Sequence, residues 1–128
     1  MRYKKSRDKN HADIQNSLEK CGILVADLSG NGGGVTDIAT YFQGQTVWLE
    51  IKVDNASHVE KSQLKFFAKW QGYCGIVQNF EQALAMAKHP NQHVLTSAEK
   101  LKISQFLVKF TGDRITVKQF YEVIGREA

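Results

Sequence analysis

Apolar residues recur along the chain at two different spacings, and the switches between them mark out its elements. Ile14, Leu18 and Cys21 fall at helical spacing with Gly22 as a stop, which predicts a helix from about residue 9 to 21. Residues 23–28 form a short run rich in β-formers. Ser29-Gly30-Asn31-Gly32-Gly33-Gly34 must be a loop, since four glycines in six residues serve backbone angles or close approaches that other residues resist. Residues 36–42 and 46–53 read as two strands joined by the turn Gln43-Gly44-Gln45, hence a hairpin. In the second strand Val47, Leu49, Ile51 and Val53 share one face by the period of two, and Trp48, Glu50 and Lys52 share the other. The apolar face has to pack on a core. The opposite face carries an acid and a base roughly 7 Å apart at Cα, two residues of strand rise.

Beyond a polar stretch over 54–60, Leu64, Phe67 and Ala68 predict a helix over 61–71, and 74–78 is a short strand. Asn79 is a fitting N-cap for a helix over 80–88, which Pro90 closes. An α/β unit of order α-β-β-β-α-β-α therefore occupies residues 1–89. Residues 90–128 read as a helical C-terminal appendage that packs on the main unit or supplies an interface. Thr96-Ser97-Ala98-Glu99 is a capping-box pattern opening a helix to about residue 110, with Leu101, Phe106 and Leu107 among its apolar positions. Gly112 breaks it, and Thr116-Val117-Lys118-Gln119 opens the last helix in the same way.

Composition narrows the class. A chain of 128 residues, 42% hydrophobic with a single Pro, suits one ordered domain and a small appendage. No apolar run approaches the roughly 18 residues that span a bilayer, and the basic start has no apolar segment behind it. The expectation is a soluble, unexported, cytoplasmic protein with no membrane partner. Cys21 and Cys74 lack zinc spacing and read as reduced core thiols. The formal net charge of +4 suits a nucleic-acid partner, and five of the first nine residues are Lys or Arg (Arg2, Lys4, Lys5, Arg7, Lys9). They form either a basic arm reaching phosphates or a solvated terminus.

The candidate chemistry lies on the hairpin. Asp37 opens its first strand directly after the glycine loop, and Glu50 and Lys52 point the same way from the second. Phosphodiester hydrolysis needs a divalent ion held by carboxylate oxygens and a cation to steady the charge on phosphate. A Glu and a Lys two apart on a strand are ordinarily a solvated face. Their conjunction with an aspartate at the head of the neighbouring strand is more specific.

Gly34-Val35-Thr36-Asp37 followed by Glu50-Ile51-Lys52 resembles the PD-(D/E)xK nuclease signature. With Asn10-His11-Ala12-Asp13-Ile14, Asp27-Leu28-Ser29, Gly32-Gly33-Gly34 and Ser62-Gln63, residues 8–89 resemble the small standalone virus-type replication-repair nuclease (VRR-NUC) proteins of phages and prophages. The resemblance implies a restriction-endonuclease-like core and a Mg²⁺- or Mn²⁺-dependent DNA endonuclease of a bacterial or phage-infected cell. It makes Asp37 and Glu50 metal ligands, with the Ile51 carbonyl as a third. Lys52 would contact the attacking water or the scissile phosphate, and Gln63 would orient the lysine or the phosphate. Asp13 sits where the family usually places a first-helix Glu that helps to bind metal. Thr36 replaces the usual Pro, and Asp13 is one methylene shorter than Glu, which favours a water-bridged contact. The partners implied are duplex or branched DNA, such as Holliday junctions, and a second copy in a homodimer.

Asn10, Asp13 and Ser17 form a polar stripe on the first helix. His11 could be a general base or phosphate contact but reads first as structural or surface, and His58, His89 and His93 are assigned nothing. The glycine loop lacks the Gly-Lys-Ser/Thr ending of a P-loop and leads to a strand, so no nucleotide cofactor is expected. Close passage of DNA past Gly33, or a tight strand entry, fits it better. Trp48 could stack on a base, though packing under the first helix is preferred. Phe66, Phe67 and Trp70 read as core or interface. Lys61, Lys65 and Lys69, at i, i+4 and i+8, form either a solvated edge or a phosphate-tracking stripe. The DNA contacts assigned are Lys4, Lys5, Arg7, Asn10, Gly33 and Lys61. The rival functions are a catalytically silent DNA-binding or protein-interaction module that keeps the nuclease fold, and an α/β module with only a surface salt bridge.

Overall fold

The alternation over residues 45–51 becomes an inner strand of a mixed sheet covered by helices on both faces. A computed structural model describes the backbone of residues 2–127 and the side chains of residues 10–127. In chain order the elements are α1 (Arg2–Lys20), β1 (Leu24–Asp27), β2 (Ile38–Phe42), β3 (Gln45–Ile51), β4 (His58–Glu60), α2 (Lys61–Lys69), β5 (Tyr73–Val77), α3 (Phe80–Lys88), α4 (Pro90–His93), α5 (Ser97–Lys109), β6 (Arg114–Thr116) and α6 (Val117–Ile124). The main sheet runs β1-β2-β3-β5. β1–β2 and β2–β3 pair antiparallel, and β5 lies parallel to β3 after the α2 crossover. The β2–β3 loop is the two residues Gln43 and Gly44, both at positive φ, as the tight hairpin turn requires.

The two faces of this sheet bury separate cores. On one, Ile38, Val47, Leu49, Ile51 and Val77 meet Ile14 and Leu18 of α1 and Ala83, Met86 and Ala87 of α3. On the other, Cys74 and Ile76, with Trp48 beside them, meet Leu64 and Phe67 of α2, Ile103 of α5, and Phe120 and Ile124 of α6. Residues 90–127 thus share a core with α2 and the sheet. The chain is an α/β fold with a mixed sheet, and among the described residues no helix is long and apolar enough to cross a membrane.

The elements depart from the sequence reading in several places. The polar stretch before α2 ends in β4, which pairs antiparallel with β6 of the appendage. Three-residue strands carry too little periodicity to be read from a pattern. β3 ends at Ile51, so Val53 leaves the apolar face and is 56% exposed. Trp48 does pack, but against Trp70 and Phe66 at ring-centroid distances of 4.7 and 6.3 Å, under α2 and not under α1. Cys21 is exposed, contrary to a core thiol, whereas Cys74 is buried; both are free. Pro90 closes α3 and at once opens the single turn α4.

Candidate active site

The site is assembled where the glycine loop, the ends of β2 and β3, and the first turn of α2 meet. Gly34 has φ +85°, and a Cβ there would lie 2.3 Å from the Ser62 carbonyl oxygen. Only glycine lets the loop press so closely on α2. The Leu28 N–H donates to the Asp37 carbonyl at 2.7 Å, tying the loop's two ends together. Asp37 follows, with Oδ2 accepting from the Ile51 N–H at 2.9 Å. This bond brings its carboxylate across to the peptide between Glu50 and Lys52.

Asp37, Glu50 and Lys52 are 7%, 1% and 8% exposed. Glu50 of β3 and Lys52 just past its end lie on the α2 side of the sheet, and Lys52 Nζ lies 3.1 Å from Glu50 Oε2. Gln63 links both: its Nε2 donates to Glu50 Oε2 at 2.6 Å, and its Oε1 accepts from Lys52 Nζ at 3.2 Å. The same Oε1 accepts from the Glu60 N–H at 3.0 Å, capping α2. Helix start and site geometry are therefore one hydrogen-bonded unit. The structure gathers four of the expected residues, Asp37, Glu50, Lys52 and Gln63, about the Ile51 peptide.

Two depressions flank the first turn of α2. A cleft of about 410 Å³ is lined by Ile51, Lys52, Val53, Ser57, His58, Glu60, Gln63 and Arg114. On the other side of the turn, Gly33, Ser62, Lys65, Phe66, Lys69 and Trp70 line a hollow of about 320 Å³. Gly33 is thus exposed beside two exposed lysines. Lys61 does not continue their stripe outward: its Nζ donates to the Phe110 carbonyl at 3.4 Å and lies over the Phe110 ring. Appendage packing takes it away from a phosphate-tracking face.

The first helix is placed differently. Asp13 is exposed on α1, whereas Asp37 and Glu50 are buried. Asn10 is half-buried, and Lys4, Lys5 and Arg7 lie outside the described side chains. His11 faces Asp27 instead: it is largely buried, with Nε2 3.6 Å from Asp27 Oδ1 and no hydrogen bond between them among the described residues. Asp27 pairs with Ile38, one residue from Asp37, and accepts from the Ser29 hydroxyl at 2.6 Å and its N–H at 3.0 Å. The Ser29 hydroxyl bond, helped by its N–H and by His11, holds the Asp27 carboxyl below its ordinary value against the upward push of burial.

Among the described residues no group of three or more His, Cys, Asp or Glu side chains is gathered to hold a metal. Asp37 and Glu50 offer two buried carboxylates, and the Ile51 carbonyl is a third hard oxygen on the same segment. Such a sparse oxygen set suits Mg²⁺ or Mn²⁺, which keep several waters, better than zinc, which takes four protein or substrate ligands. Sequence reasoning missed His58 and Arg114 as cleft residues, since only the β4–β6 pairing brings the appendage there. No family model, no curated protein and no solved structure matches the chain.

Proposed function

We propose that the protein is a metal-dependent DNA endonuclease with a restriction-endonuclease-like core, in which Asp37, Glu50 and Lys52 form the catalytic centre and Gln63 positions two of them. The observation that carries this reading is the convergence of a buried aspartate, glutamate and lysine on one peptide, with the lysine and Gln63 lining a cleft beside it. A buried acid–lysine contact contributes little net stability, because desolvating both charges offsets their attraction. Apolar residues at these positions would serve the sheet at least as well. The cluster is therefore better explained by chemistry than by folding.

A Mg²⁺ or Mn²⁺ ion held by the Asp37 and Glu50 carboxylates and the Ile51 carbonyl would polarise the phosphoryl group and acidify the attacking water. The chain's own residues do the rest. Lys52, on the cleft wall, presents its ammonium to the phosphate and steadies the charge that grows there. Gln63 is neutral and amphoteric, so it holds the glutamate and the lysine at once without adding charge. The small single site also suits a symmetric dimer that presents two centres to two strands of branched DNA.

The test is cleavage of labelled duplex, flap and four-way-junction DNA in Mg²⁺ or Mn²⁺, beside Asp37→Asn and Lys52→Ala. Cleavage by the wild type that chelation and both substitutions abolish is expected. A wild type that binds these DNAs but cuts none would instead favour the silent DNA-binding module.

A further inference from the structure

Resting on the nuclease reading, we propose that the C-terminal segment around β6 is part of the nucleic-acid site, and that Arg114 grips a backbone phosphate of the substrate beside the scissile one. The chain between Lys52 and Gln63 does not stand alone. Its β4 pairs with β6 in the register His58↔Thr116, Val59↔Ile115 and Glu60↔Arg114. Backbone bonds extend the ladder on both sides: Lys61 N–H to the Asp113 carbonyl at 2.8 Å, Val117 N–H to Ser57 at 2.8 Å, and Lys118 N–H to Asn55 at 3.0 Å. Val59 and Ile115 point into the core at 0% and 6% exposure. By strand alternation Arg114 therefore faces outward, and it lines the cleft that holds Lys52 and Gln63.

Three facts make this arginine a phosphate contact. It is exposed, and no ion pair engages it among the described residues. It sits on a ladder anchored by backbone bonds, so its position relative to Lys52 is fixed. Its planar guanidinium suits two phosphate oxygens, where a lysine offers a point charge. A backbone reaching Lys52 through this cleft runs over the outward side chains of β4 and β6, where Arg114 is the second cation lining it. Glu60 lies opposite Arg114 and opposes a phosphate there, which sets the direction of a second variant.

The experiment is salt-dependent binding of labelled four-way-junction and duplex DNA to the full chain in Ca²⁺, followed by cleavage in Mg²⁺. Arg114→Gln should weaken binding about tenfold, the scale of one lost charged hydrogen bond. It should also lower the slope of log affinity against log salt by about 0.9, one phosphate's worth. Arg114→Lys should keep the slope, and Glu60→Gln should tighten binding. A wild type that binds and cuts, with an Arg114→Gln variant of unchanged affinity and slope, overturns this inference alone. A wild type that neither binds nor cuts overturns it together with the nuclease reading.

Discussion

Among the described residues, the acid–base cluster of the appendage and that of the hairpin are built in opposite ways. In the appendage, Arg126 donates from Nε to Glu99 Oε2 at 2.5 Å and from Nη2 to Glu99 Oε1 at 2.8 Å, and also to the carbonyls of His93 and Val94. Glu99 in turn caps α5 by accepting from the Thr96 N–H at 2.8 Å. A planar fork is met by a planar carboxylate, and the left-over donors find backbone oxygens. On the hairpin, Lys52 touches Glu50 through a single oxygen, shares a glutamine with it, and lines a cleft. The first arrangement fastens the C-terminal end to α4 and α5. The second sets a cation on the wall of a cleft, with its acid buried beside it. The residue choice carries the lesson: a bidentate arginine where geometry must be held, a point-charge lysine where charge must be presented.

The sharpest break in this comparison is Lys52→Ala, which should reduce cleavage at least about a hundredfold, as for loss of one transition-state charge donor. Arg126→Ala should act on the fold instead. Losing hydrogen bonds to a charged, largely buried partner costs about 2–3 kcal/mol, or a fall in melting temperature of roughly 10 °C. Cleavage by the folded fraction should remain. Gly34→Ala should couple the two effects more weakly. Its new Cβ would meet the Ser62 carbonyl at 2.3 Å and force an alanine to φ +85°. A loss of about 1–3 kcal/mol is expected from such backbone strain, with slower cleavage, since the loop carries Asp37. A melting curve and a single-turnover rate on the same sample separate the components.

The smallest effect is a reactivity difference. Cys74 lies in the core shared with the appendage, and burial pushes its thiol up to about 11 despite the opposing influence of Lys100. At pH 8 it stays protonated, and a disulfide reagent should titrate the exposed Cys21 rapidly and Cys74 only on unfolding. Fast reaction of both would mean that the appendage core opens readily.

Much of this was legible because local rules decide it. The β2–β3 hairpin follows from alternation and its Gly44 turn, α3 from its Asn79 cap, and α5 and α6 from reciprocal Thr–Glu and Thr–Gln boxes that form in full. The face shared by Glu50 and Lys52 was legible for the same reason. The cleft around them was not. β4 and β6 have three residues each and pair across distant parts of the chain, so no local pattern announces them. Alternation placed Trp48 on the correct face but could not say which helix covers that face. The Lys61 stripe was visible, yet its interception by Phe110 depends on tertiary packing. Gln63 was expected from resemblance, while its second task as the cap of α2 appears only when the Glu60 N–H is seen to donate to it.

The hairpin cluster is expected to perform chemistry and the appendage cluster to hold structure. The most direct measurement compares metal-dependent cleavage and melting temperature for wild type, Asp37→Asn and Arg126→Ala on one labelled four-way junction. Asparagine can still accept from the Ile51 N–H, so Asp37→Asn should stay folded and cut nothing. Arg126→Ala should melt earlier and still cut. A wild type that leaves the junction intact in both Mg²⁺ and Mn²⁺, or an Asp37→Asn variant that cuts at the wild-type rate, would contradict the account.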